Sequence, residues 1–160
     1  MELSECNPYV RAAEIQPAVL EGISPRMAFD HRIFLILGGE GQIFISGRCY
    51  PLTEGILILF PPETEYYFRG KMKVAVLNFD LTRACRAQKK PRMPMPRAEY
   101  DPSLRFDMTL AEEYGAPLVF PADAMERDAV LQIVASFSAK TPYSDALTSA
   151  ALKKLLCELS

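Results

Sequence analysis

The stretch that most restricts how this chain folds is Gly55–Phe68, which reads Gly-Ile-Leu-Ile-Leu-Phe-Pro-Pro-Glu-Thr-Glu-Tyr-Tyr-Phe. Ile56–Phe60 is apolar at every position, so periodicity alone does not separate strand from helix. Its length, its β-branched residues and the Pro61-Pro62 pair that stops it predict a strand buried on both faces. A proline-pinned turn follows, and then a second strand carrying aromatic side chains. Period-two alternation puts Tyr66 and Phe68 on one face of that strand and Tyr67 on the other; Val74, Val76 and Asn78 share a face further on.

The neighbouring text is of the same kind from Pro8 to Asp80: short apolar runs broken by Gly, Pro and polar turns. Arg32–Leu37 and Gln42–Ile45 flank Gly38-Gly39-Glu40-Gly41, which predicts a hairpin connection. Ser46-Gly47 predicts a tight turn into Arg48–Leu52, and Lys73–Asp80 another strand. Short strands spaced by about ten residues predict a sandwich or barrel.

Arg83–Pro102 reads as a solvated surface loop. It carries Arg83, Arg86, Lys89, Lys90, Arg92 and Arg97 with no acid before Glu99, and Pro91, Pro94, Pro96 and Pro102 exclude a helix. Beyond it the period changes. Asp123 and Glu126 form a capping-box pattern, after which Met125, Ala129, Val130, Ile133, Val134 and Phe137 fall on one helical face. Thr141 and Pro142 predict the start of a second helix, which sets Leu152, Leu155, Leu156 and Leu159 in one stripe. No stop signal precedes Ser160, so the chain reads as cut there.

The 160 residues fit one domain of ordinary size, with a barrel and N-terminal arm over 1–120 and a continuous helical segment over 121–160. A net charge of −2 offers no electrostatic reason to bind nucleic acid or an anionic membrane. No signal peptide is expected, and no apolar run reaches the roughly 20 residues that span a bilayer. Cys6, Cys49, Cys85 and Cys157 lack metal or redox spacing and read as buried, reduced thiols of a cytoplasmic protein.

With these motifs in order, the chain resembles the N-terminal ligand-binding and dimerisation domain of AraC-type transcription regulators. The resemblance is carried by Asn7-Pro8-Tyr9-Val10-Arg11, Asp30-His31, Leu35–Ile45, Gly47–Gly55, Phe60-Pro61-Pro62, Asn78-Phe79-Asp80-Leu81-Thr82 and the paired helices. It implies a mainly β fold, a cupin-like double-stranded β-helix (jelly-roll) barrel followed by two α-helices. It also implies a bacterial, cytoplasmic homodimer held through Leu152, Leu155, Leu156 and Leu159, reaching DNA only through helix-turn-helix units absent from this chain. Residues matching the family's effector contacts are Phe68, Val74, Val76 and Arg26, with Pro8 in the matching N-terminal arm; Tyr66 and Asn78 join the candidate ligand contacts because alternation sets them on the same faces as Phe68 and Val76. The aliphatic Val74 and Val76 argue against a sugar and for a smaller or more apolar effector, with Arg26 placed to hold an anionic group. The same side chains equally suit a packed barrel core. The arm Asn7–Arg11 either folds over the barrel mouth with ligand or forms a permanent outer strand.

Catalytic cupins use two or three histidines and a carboxylate to hold a metal. Here Tyr66 stands where the histidine after the turn would be, Glu63 replaces the turn's glycine, and His31 is the single histidine. No metal, cofactor or catalytic residue is therefore expected, and His31 reads as ordering a corner beside Asp30 through hydrogen bonds. The alternative reading is a stand-alone cupin-fold enzyme or small-molecule binding protein.

Overall fold

The computed structural model describes residues 1–17, 24–84, 93–105 and 107–160. Cys85, Arg86, Lys89, Lys90 and Arg92, part of the basic stretch noted above, lie outside the described residues. Two long antiparallel strands dominate the fold: β3 (His31–Ile45) and β6 (Glu65–Asp80), paired from His31↔Phe79 to Ile45↔Tyr66. β1 (Tyr9–Gln16) and β2 (Arg26–Met27) pair with opposite ends of β6. β4 (Arg48–Thr53) and β5 (Ile56–Phe60) pair with opposite ends of β3, and β7 (Leu118–Pro121) pairs with β5. The sheet, ordered β1-β6-β3-β5-β7 along its main path, curls into a cupin-like barrel. Helices α1 (Ala124–Ala139) and α2 (Ser144–Leu159) follow, so the fold is mainly β with two C-terminal helices.

The expected hairpin at Gly38–Gly41 is not a turn. β3 runs straight through it, and β6 likewise joins the aromatic strand to Lys73–Asp80 without a break. The reason is close approach. A Cβ on Gly39 would stand 2.2 Å from the Lys71 carbonyl oxygen, and Gly39 and Gly70 sit at φ +81° and +107°. These glycines and the register shift between Ile36 and Gly38 let the two strands bend together, and the bend folds the sheet over itself. Phe34 and Phe68 show the result: they lie far apart along the ladder, yet their rings meet at 5.1 Å. Ser46-Gly47, by contrast, is the tight turn expected, with φ +49° and +81° joining β3 to β4.

Alternation along the near half of β3, β5 and β6 sends successive residues into two separate cores. Ile33, Leu35, Leu57, Leu59, Ala75, Leu77 and Phe79 face the helices and meet Val130, Ile133, Val134, Leu152, Leu155 and Leu156. Phe34, Ile36, Ile58, Phe60, Val74 and Val76 face the barrel interior. Ile56–Phe60 is apolar throughout because its inner residues are buried on one side or the other.

Leu152, Leu155 and Leu156 are fully buried in this chain's own core, and Leu159 is half-buried against it. These three leucines therefore do not form the expected seam between subunits; the outer sheet face already takes up their apolar surface. In α1, the Asp123/Glu126 capping box forms as expected, with both reciprocal bonds at 2.8 Å. Met125 departs from the expected face and is 68% exposed. α2 begins at Ser144 instead of Pro142, because a turn from Thr141 to Ser144 precedes it.

The N-terminal segment is a strand in the sheet, not an arm over the barrel mouth. Tyr9–Gln16 pairs along β6, and Arg11 is clamped to Asp80 at 2.5 Å. Pro8 is buried on the helix side, its carbonyl accepting from the Ser149 hydroxyl at 2.6 Å, so it does not line the barrel. The described part of the Pro-rich loop is docked as well. Met95 bridges Met27, and the Tyr100 ring stacks on Phe29 while its hydroxyl donates to the Ala28 carbonyl. Cys6 is buried, but Cys49 and Cys157 are exposed, contrary to expectation.

Candidate functional site

The barrel interior has an apolar body and a polar end. Its body is an aromatic cluster: Phe34 meets Phe60, Tyr66 and Phe68 at 5.8, 6.0 and 5.1 Å, and Phe60 meets Tyr66 at 4.7 Å. Val74, Val76, Ile36, Ile43 and Met72 complete it. Alternation turns Tyr66 with Phe68 and Val74 with Val76 inward, as expected of each group, and the unbroken, bent β6 brings the two groups into one cluster. Tyr67 points outward and stacks on Phe44 at 4.5 Å.

The polar end is built on Arg32. Period two carried back from Phe34 turns Arg32 inward, opposite Asn78 in the ladder. Arg32 is 7% exposed, and it donates to Asp30 at 3.0 Å and to the Tyr66 hydroxyl at 3.1 Å. Burial pushes the Asp30 carboxyl up, with Arg32 pulling against it. Burial also raises the Tyr66 phenol, which stays neutral and accepts the Arg32 hydrogen bond. Burial opposes the charge on Arg32, but Tyr66 and Asp30 outweigh it, so the guanidinium is held charged. At the rim, burial brings the Asp80 carboxyl up to about 7 despite the neighbouring Arg11.

Three buried atoms at this end have no hydrogen-bond partner: Asp30 Oδ2, Asn78 Oδ1 and Arg26 Nε. Arg26 lies opposite Tyr66 across the β2–β6 pair, with its Nη1 donating to the Pro94 carbonyl at 3.2 Å. Buried polar atoms left open are costly, and here two acceptors and one donor are open on residues joined through Arg32 and Tyr66. A ligand offering both donors and acceptors would satisfy them.

Sequence reasoning placed Arg26, Tyr66 and Asn78 at this end but missed Arg32, Asp30, Phe34 and Phe60. The signal was available: Arg32 is a lone charge on the inward side of an otherwise apolar run. His31 is placed differently from the expected corner. It faces the helix side, stacks on Phe79 at 5.3 Å, and its Nε2 has no partner. Burial, aided by the Arg105 charge, pushes it down to about 3. Glu63 occupies the turn at φ +66°, the left-handed region where a glycine is easier, and its carboxylate reaches Arg105 at 3.6 Å. Among the described residues, no three His, Cys, Asp or Glu side chains group so as to hold a metal ion, and no helix is long and apolar enough to cross a membrane.

No family model matches the chain, and no curated protein matches it. Solved structures do. Apo ToxT from Vibrio cholerae, in a single-site variant, aligns over 92% of this chain at 12% identity with a TM-score of 0.53. Unsaturated fatty acid-bound ToxT aligns over 97% at 12% identity and a TM-score of 0.49, and covers 54% of that chain. Pac13, a nucleoside dehydratase, aligns over 56% of this chain and 75% of its own at 16% identity, with a TM-score of 0.37. The likeness to apo ToxT is one of fold, and this chain spans 55% of that chain's length.

Proposed function

We propose that this chain is the effector-sensing half of an AraC-type transcription regulator, binding a small molecule at the polar end of a metal-free barrel. The observation that carries this reading is the set of open buried atoms, Asp30 Oδ2, Asn78 Oδ1 and Arg26 Nε, set above the aromatic cluster. The order of sequence motifs supports the family, as does the fold in common with ToxT, an AraC-family regulator. The effector contacts are Arg26, Arg32, Tyr66 and Asn78, with Phe68, Val74 and Val76 as the apolar wall. The protein works in the cytoplasm as a homodimer and meets DNA through a domain outside this chain; it catalyses nothing. With the inner leucines of α2 committed to the chain's own core, the dimer contact belongs to the outward side of the helical hairpin. Leu147 and Tyr143 are 58% and 73% exposed there.

The intact mass of the native polypeptide in its source cell tests the regulator assignment. A product long enough to carry paired helix-turn-helix units is expected, and one ending at Ser160 overturns it. Native mass spectrometry of the purified protein tests the barrel. A retained small molecule that is lost in Asn78→Leu and in Arg26→Met is expected; retention in both variants moves the effector elsewhere.

A further inference from the structure

Outside the barrel, a cleft of about 550 Å³ opens where the start of β1 and the residues after β6 meet the elbow between the two helices. This volume is in the range of sites that enclose a small organic molecule. Its walls are largely apolar: Val10 and the Tyr9 ring come from β1, and Phe137 from the last turn of α1. Among the described residues that line it, two cations, Arg83 and Lys140, stand against one carboxylate, Asp145. The cleft therefore carries a charge of +1 over an apolar floor.

The placement of that charge is specific. The Arg83 guanidinium lies over the Tyr9 ring, 5.2 Å from its centroid, and is paired with Asp145 in the first turn of α2. Arg83 is mostly covered, whereas Asp145 is 58% exposed. Tyr143, the residue before α2, supplies no side-chain cap, so first-turn amides add to the positive potential on this side. Lys140, in the left-handed conformation that ends α1, completes the rim.

We infer that this cleft is a second ligand site, for an amphipathic monoanion: a carboxylate on a compact apolar body. The carboxylate takes the place of the Asp145 side chain against Arg83, and the body lies between Tyr9, Val10 and Phe137. The ligand carboxylate replaces the Asp145 contact with a bidentate one to the Arg83 guanidinium, and the apolar body adds the burial that a bare anion lacks. Occupancy ties β1 to α1 and α2, three elements that supply none of the barrel-site residues. The inference is independent of the barrel reading.

Titration calorimetry of the full chain with phenylpropionate tests it, with phenylpropanol as the uncharged isostere and inorganic phosphate as the anion without a body. Saturable one-to-one binding of phenylpropionate is expected, with phenylpropanol and phosphate each at least tenfold weaker. Arg83→Met should weaken phenylpropionate at least tenfold, and Lys140→Gln severalfold, while Asn78→Leu in the barrel leaves it unchanged. Equal binding of phosphate means an adventitious anion only and overturns the proposal. So does the absence of saturation, or binding that survives Arg83→Met but falls in Asn78→Leu, which would place the ligand in the barrel.

Discussion

On the helix side of β3 and β6, Ile33, Leu35, Leu77 and Ala75 meet leucines, isoleucine and valines of α1 and α2. One residue along the same strands, on the barrel side, stand Arg32, Phe34, Val76 and Asn78. Both layers are buried to a similar degree, yet only the second contains an ion pair, an aromatic cluster and open polar atoms near one another. The helix-side layer is mainly aliphatic packing that joins helices to sheet, with the open Nε2 of His31 set beside Phe79. The barrel layer accepts the cost of buried charge and unpaired acceptors, and such a cost is kept where a site needs it.

The largest effect that would break this contrast is on the helix side. Leu155→Asp sets a carboxylate among fully buried aliphatic side chains and should cost at least about 5 kcal/mol, most of a domain's stability. Chemical denaturation should show an unfolded or barely folded chain. A well-folded monomer would instead return Leu155 to an interface between subunits.

His31 gives the second test, and its sign is fixed by burial. It is neutral when folded, with its pKa pushed from 6.5 down to about 3. The unfolded chain takes the proton first as pH falls, so the contribution of His31 is full above 6.5 and is lost as pH falls towards 3. That difference corresponds to on the order of 5 kcal/mol across the window. In His31→Phe, which keeps a ring beside Phe79, denaturation followed from pH 7 to pH 4 should show a shallower loss of stability than the parent. Parallel curves would mean that His31 titrates normally in the folded chain.

In the barrel layer, Arg32→Met strands the Asp30 carboxylate and removes the Tyr66 contact, and should cost about 3–5 kcal/mol in urea unfolding. A cost near zero would show that Asp30 simply takes up a proton. The smallest effect sharpens the comparison most. Asn78→Leu removes an open acceptor from the barrel end and should change stability by no more than about 1 kcal/mol, in either direction, while abolishing retention of a barrel ligand. A large loss of stability would mean that Asn78 is structural.

Much of the architecture was legible along the chain. The buried run Ile56–Phe60, the turn at Ser46-Gly47, the capping box at Asp123 and the shared faces of Tyr66 with Phe68 and of Val74 with Val76 all follow from period, turn chemistry or capping. Each depends only on residues a few places apart. Gly38–Gly41 misled because glycine marks both a turn and a close backbone approach, and the partner at Lys71 is far away in sequence. The leucine stripe of α2 misled for a related reason: an apolar stripe requires cover without stating whose. Within the site, Arg26 was favoured over Arg32 on resemblance, although alternation already turned Arg32 inward.

What the sequence by itself determined are the faces: which residues of a strand share a side, where a chain must turn, where a helix begins. These are set by backbone geometry over a few residues. Only the tertiary structure decided what each face meets. The bend shared by β3 and β6 made one strand's two sides into two cores, fixed the N-terminal segment in the sheet, and drew Arg32, Asp30, Tyr66 and Asn78 to one end of the barrel. Burial of charge depends on how the sheet closes over it, and that closure is a property of contacts between residues distant in the chain.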